Sequence, residues 1–352
     1  MKTMKKILLT AVAAVALLAA CEKKIDIDVD DQRSELVVNS VNTDQADIAV
    51  RLTLSRPIYG SFYVAEDESY FKKVENANVT LAIGGSGEMS AVRDGNVYTL
   101  LHHPQPGEEL TLRVEVPGYE AATATATVPY APVVENVTVD LRDTMGLSNS
   151  IYGASLKFTL VDNGESSDFY GIYVRVHDLV YRTYYDTLGA VMAKDTIGQS
   201  YYTYYDCTDY LIIDARSVED ILDVEDPAAA STYFGNQLLF SDANINGQRH
   251  SIELMLHKYT DYYYEDYEAS AKADIDWEAL DHIECDTNST ATLEVVSMTR
   301  DVFMYKQTRA AYSDDGLLGF FSEPVQIHSN IDGGIGIFGF LTRTQYTFSY
   351  NE

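Results

Sequence analysis

Two patterns of apolar residues divide the chain. Near the start an uncharged run extends from Ile7 to Ala20, preceded by Lys2, Lys5 and Lys6. It is the length of a secretory signal core and shorter than a bilayer span requires. After it, apolar positions recur every second residue in short bursts, the period of half-buried strands. The bursts are Ile25–Asp30, Leu36–Val41, Val50–Ser55, Val79–Ile83, Met89–Val92, Val97–Leu101, Leu110–Val116 and Ala121–Val128. Gly84-Gly85-Ser86-Gly87, Asp94-Gly95-Asn96 and Pro117-Gly118 supply the turns between them.

Seven or eight short strands in about a hundred residues predict an antiparallel β-sandwich of immunoglobulin or transthyretin-like type. Val128-Pro129-Tyr130-Ala131-Pro132 reads as a hinge, because prolines interrupt ladder pairing. Beyond it a larger β-rich region is expected, with strands at Val133–Leu141, Ser155–Val161, Tyr170–His177, Tyr181–Thr187, Ser200–Tyr205, Tyr210–Ile213, Gln237–Phe240, Ile252–His257, Thr292–Val296 and Thr344–Tyr350. Helix is expected in two places. Ser217-Val218-Glu219-Asp220 is a capping-box pattern, and Thr299–Tyr312 lacks Gly and Pro, with Val302, Tyr305 and Arg309 on one face. The expected organisation is therefore a signal peptide (1–20), a tether with a first strand (21–34), a β-sandwich domain (35–130) and a larger β-rich domain (131–352).

The run Leu18-Ala19-Ala20-Cys21 fits a lipoprotein cleavage site, with Cys21 as the lipid attachment point. Several acyl chains make a stable anchor, at about 0.8 kcal/mol per buried methylene. Cleavage would remove three lysines and no acid, so the net charge of −29 becomes more negative still. Such acidity argues against nucleic acid as a partner and against a polybasic membrane-surface role. The remaining Cys207 and Cys285 lie in a compartment that permits disulfides. Joined, they would stabilise the fold by roughly 4–5 kcal/mol on the loop-entropy model; two separate buried thiols are the alternative, and spacing does not decide between them.

Catalytic signatures are missing: the sequence holds no Gly-x-Ser-x-Gly elbow, no His-Glu-x-x-His and no phosphate-binding loop. Asp26, Asp28, Asp30 and Asp31 open like a calcium loop, but Asp31 stands where glycine is needed and Val37 where a bidentate Glu belongs. His282-Ile283-Glu284-Cys285 lacks a second ligand pair. No metal or cofactor is expected, and only a composite site drawn from distant residues stays open. The 27 tyrosines are the least ordinary feature. Tyr201–Tyr205 reads mainly as strand, whereas Tyr262, Tyr263, Tyr264 and Tyr267, interleaved with carboxylates, form a candidate contact surface for sugar, peptide or protein.

An ordered set of segments resembles the Bacteroidetes outer-membrane lipoprotein family that carries the domain of unknown function 4249. It comprises Cys21–Ile27, Leu36–Asn39, Leu54–Pro57, Val74–Leu81, Leu112–Tyr119, Leu239–Asp242 with Asn246–Gln248, and Glu323–Gly339. The resemblance implies a non-enzymatic accessory or ligand-binding lipoprotein beside a TonB-dependent outer-membrane transporter in nutrient uptake. A cell-surface adhesion or envelope-structural role is the alternative. It implies the outer membrane and surface exposure, although Lys23 and Lys24 after Glu22 leave the periplasmic face open. It supplies no catalytic residue. Gly333, Gly334, Gly336 and Gly339 read as places of close backbone approach or positive φ.

Overall fold

A computed structural model describes residues 34–55, 72–85, 87–145, 151–213, 232–233, 236–257, 278–314 and 326–349. The first strands are β1 (Leu36–Thr43), β2 (Ile48–Leu54), β3 (Lys72–Lys73), β4 (Asn78–Ile83), β5 (Glu88–Ser90), β6 (Val92–Asp94) and β7 (Val97–Leu100). Then come β8 (Glu109–Glu115), β9 (Ala122–Thr127), β10 (Val133–Met145), β11 (Ile151–Val161), β12 (Phe169–Asp186) and β13 (Val191–Tyr202). The chain continues through β14 (Tyr205–Cys207), β15 (Thr232–Tyr233), β16 (Gln237–Ser241), β17 (Arg249–His257), β18 (Leu280–Met298), helix α1 (Arg300–Asp314) and β19 (Ile335–Ser349). The protein is mainly β, as its period-two patterning requires.

One long sheet runs in the order β15-β16-β12-β18-β19-β1-β2-β7-β6, with β13 beside β12 and β3 beside β2. Two four-stranded sheets, β5-β4-β8-β9 and β10-β11-β17-β14, cover one of its faces. Alternation along β19 shows why both lie on the same side. Phe338 and Phe340 enter a core with Leu36, Val38, Leu52, Leu81, Leu112 and Val114. Tyr346 and Phe348, at the same parity, pack into a second core with Phe158, Ile172, Leu254 and Leu293. Each fully buried Leu or Val in these cores contributes about 1.5–3 kcal/mol. The odd-numbered positions of β19 face the other way, where Ile337 and Leu341 meet α1 through Val302, Phe303 and Met304.

The long sheet closes through a parallel pairing of β1 with β19, Val37 opposite Ile335 through Thr43 opposite Leu341. The sandwich begun by residues 36–128 is therefore completed by β19, the last of the described strands. Glycines permit the junction. Gly336 has φ +124° and packs against the Val38 carbonyl, while Gly333, at φ +80°, lies against the Ala121 carbonyl. Asn330 mimics a strand residue: its Nδ2 donates to the Phe338 carbonyl at 2.8 Å and its Oδ1 accepts from the Phe338 N–H at 2.9 Å.

Several elements differ from expectation. Tyr170–His177 and Tyr181–Thr187 belong, up to Asp186, to one strand, β12, which is paired through Asp178 with β13 and β18 on either side. Tyr210–Ile213 is a turn, not a strand, with the Ile212 and Ile213 N–H groups both donating to the Asp209 carbonyl. The helix forms where expected, but its buried residues are Val302, Phe303, Met304, Gln307, Thr308 and Ala310, and Arg309 is exposed. Asp94-Gly95-Asn96 does form the β6–β7 hairpin, with Gly95 at φ +61°. The expected strand Ile25–Asp30 and helix at Ser217 lie outside the described residues. Among the described residues, no helix is long and apolar enough to cross a membrane.

Candidate functional site

Cys21 and the tyrosines Tyr262, Tyr263, Tyr264 and Tyr267 also lie outside the described residues. Cys207 and Cys285 are unbonded, so the separate-thiol alternative is the one realised. Cys207 is buried in β14, and burial pushes its thiol up to about 11; Cys285 is exposed on β18 rather than buried. His282 stacks on Tyr185 at 4.9 Å and 11°, while the Tyr185 hydroxyl donates to Glu284 at 2.9 Å. That arrangement is a surface packing contact. The Tyr201–Tyr205 segment divides: Tyr205 is fully buried, its hydroxyl donating to the Ile172 carbonyl at 2.7 Å, whereas Tyr202 is 46% exposed.

Tyr202 opens onto a cleft of about 470 Å³ on the face of the long sheet that carries the helix. Strand periodicity builds it. In β12 the even positions Ile172 and Val174 fill the second core, which leaves Tyr173 on the opposite face. Tyr173 pairs with Glu294 of β18, and Glu294 in turn with Gln345 of β19. Val296, one outward position along, pairs with Arg343. Lys306 of α1, Thr43 of β1, and Asn236 and Gln237 at the start of β16 complete the walls. Gly171 keeps the floor low, because a Cβ there would stand 2.9 Å from Val296 Cγ2.

The electrostatics of the cleft are uneven. Glu294 is buried and already engaged: its Oε1 accepts from Arg175 Nη2 at 2.6 Å and Gln345 Nε2 at 2.9 Å. Lys306 is not so satisfied. Its Nζ lies 3.5 Å from the Tyr173 hydroxyl and 5.8 Å from that ring's centroid, and no carboxylate among the described residues pairs with it. Burial, and then the Arg309 charge, hold the Lys306 ammonium below its ordinary pKa. Arg343 donates from Nη2 to Gln45 at 3.1 Å, yet its buried Nε has no hydrogen-bond partner among the described residues. Burial, and then the charges of Tyr202 and Glu294, push the Tyr173 phenol up, so it stays a neutral donor. Two donors with spare capacity thus face a space flanked by two rings, Tyr173 and Tyr202, 5.8 Å apart and tilted by 55°.

These residues come from seven elements, and sequence reasoning found only Tyr202, inside a segment assigned mainly to structure. Away from the cleft, Asp162, Asp168 and Asp242 form the one cluster among the described residues with the donor set of a metal site. Among known proteins, the family model described as "Domain of unknown function (DUF4249)" matches residues 22–347. No curated protein matches the sequence. One similar solved structure is titled "Structural basis for the promiscuous specificity of the carbohydrate-binding modules from the beta-sandwich super family". It is 11% identical, with 65% of this chain and 93% of that chain covered at a TM-score of 0.18. A score that low supplies no argument about fold or ligand.

Proposed function

The chain belongs to the DUF4249 family, and on that premise we propose a non-enzymatic outer-membrane lipoprotein, anchored through Cys21, that receives a small ligand beside a TonB-dependent transporter. The ligand site in this reading is the cleft bounded by Tyr173, Tyr202, Lys306 and Arg343. Its volume falls in the range of about 300–1,000 Å³ typical of small-ligand sites. The observation that carries the reading is the pair of under-satisfied cations in an otherwise acidic protein of net charge −29. Desolvated cations with no anionic partner are costly, and a ligand carboxylate would satisfy both Lys306 and Arg343. The Tyr202 ring offers a face for an apolar sugar surface. The chemistry fits a carboxylate-bearing saccharide best.

The test is calorimetric titration of the full chain with neutral and uronic-acid-containing oligosaccharides. Binding of the acidic series, lost in Lys306→Met and Tyr202→Ala variants whose circular dichroism is unchanged, is the expected outcome. Equal binding by wild type and both variants would remove the cleft from the account. The partner is tested separately, by purifying the tagged lipoprotein in mild detergent. Recovery of a TonB-dependent receptor with it is expected, and repeated recovery of the lipoprotein alone would sink that half of the proposal.

A further inference from the structure

Asp162 and Asp168 lie in the loop from β11 to β12, and Asp242 lies in the loop from β16 to β17. Strands β11 and β17 belong to one four-stranded sheet, whereas β12 and β16 belong to the long sheet. Both loops therefore cross between layers, and they do so at the same end of the second sandwich, the pair of layers that encloses the second core. Val161 pairs with Arg249 in one layer, and Phe169 with Ser241 in the other. Glycines bring the two crossings into contact: a Cβ on Gly164 would stand 3.0 Å from Gly247 Cα.

One carboxylate oxygen from each of the three aspartates lies within 4.8 Å of the other two. Asp162 is 7% exposed and Asp242 4%. Neutral donors orient part of the cluster. Asp162 accepts from the Tyr170 hydroxyl and from the Gly247 N–H, each at 2.7 Å, and Asp168 accepts from Ser166 Oγ at 3.1 Å. Asp242 Oδ2 is buried with no hydrogen-bond partner among the described residues. None of the three aspartates makes an ion pair with a described residue. Three carboxylates, two of them buried, with one oxygen unsatisfied and no positive side chain, call for a positive charge from outside the chain.

We propose that Asp162, Asp168 and Asp242 hold a calcium ion that pins the two layers of the second sandwich together at this end. Oxygen-only donors select a hard cation over zinc. Calcium binds oxygens at roughly 2.3–2.6 Å, so ligands on opposite sides of it stand about 5 Å apart, a span that accommodates the observed separations. Water and loop carbonyls complete its shell. Tyr170, Gly247 and Ser166 are the outer partners that aim the carboxylates. The site is separate from the cleft, and its failure would leave the ligand proposal untouched.

The experiment is calcium titration of the chelator-stripped full chain, followed by calorimetry and by thermal unfolding. Saturable uptake of a single ion per chain is expected, with a melting temperature that climbs with free calcium and responds far less to magnesium. Asp242→Asn should weaken uptake by roughly tenfold or more. Asp168→Asn, at a half-buried position, should do the same in a variant with less risk to folding. Loose, unsaturable uptake, equal in wild type and both variants, would be that of an acidic surface and would overturn the proposal. So would an unchanged melting temperature at neutral pH, which would mean that shared protons neutralise the cluster.

Discussion

Replacing Gly336 with alanine tests the junction that joins the two ends of the chain. A Cβ at this position would stand 2.0 Å from the Val38 carbonyl oxygen and 2.8 Å from its carbonyl carbon. An unforced C···O approach is roughly 3.3 Å or more, so β1 or β19 must move by more than an ångström. The φ of +124° adds about 1–3 kcal/mol for any residue with a side chain. Separating the strands around Val38 loses two or three ladder hydrogen bonds between Val37–Asn39 and Ile335–Ile337, at about 1 kcal/mol each. The total is about 3–6 kcal/mol. Gly95→Ala is the control, because Gly95 also has a positive φ, +61°, but open space around it, and should lose only about 1–2 kcal/mol. Urea unfolding followed by far-ultraviolet circular dichroism measures both. A midpoint for Gly336→Ala no lower than that of Gly95→Ala would refute the close packing of β1 on β19.

Two further outcomes concern titrating groups. Lys306 has its folded pKa below 10.5 through burial, so between that value and 10.5 the unfolded chain binds more protons and stability rises with pH. Lys306→Met should melt higher than wild type near pH 7, and the gap should narrow toward about pH 10; a constant gap would show that the ammonium is not desolvated. Asp301 in the first turn of α1 accepts hydrogen bonds from His328 Nε2 at 2.9 Å and Asn330 Nδ2 at 3.2 Å, and these, His328 foremost, hold its carboxyl below 3.8. That stabilisation is complete above 3.8 and disappears as pH falls through the folded value. Asp301→Asn should therefore be less stable than wild type at neutral pH, with the two denaturation curves converging on the acid side; parallel curves would contradict it.

Much of the strand content was legible because burial imposes alternation. Leu110, Leu112 and Val114 reach one core from β8, and the intervening polar residues face away. What escaped was strand held by pairing instead of burial. The outer part of β18, around His282–Asn288, is polar and largely exposed, yet it remains extended because each residue pairs with one of β12. The helix was legible from its lack of breakers, but its buried face was not, since Gln307 and Thr308 are buried beside apolar residues. The cleft left no local signature, because Tyr173, Glu294 and Arg343 meet only through cross-strand register and Lys306 reaches them from α1. The aspartate cluster is similar: Asp162 and Asp168 share a loop, but nothing in sequence specifies that Asp242 arrives beside them.

The place of β19 has a consequence for synthesis. A growing chain can present Leu36, Val38 and the strand edge of β1 long before the residues that cover them exist. Until Ile335–Leu341 arrive, that edge is open to pairing with other chains. Completion of the first layer pair thus depends on residues some three hundred positions downstream of β1, and a product terminated before them would expose its own defect as a bare, adhesive border that chaperones and proteases can recognise.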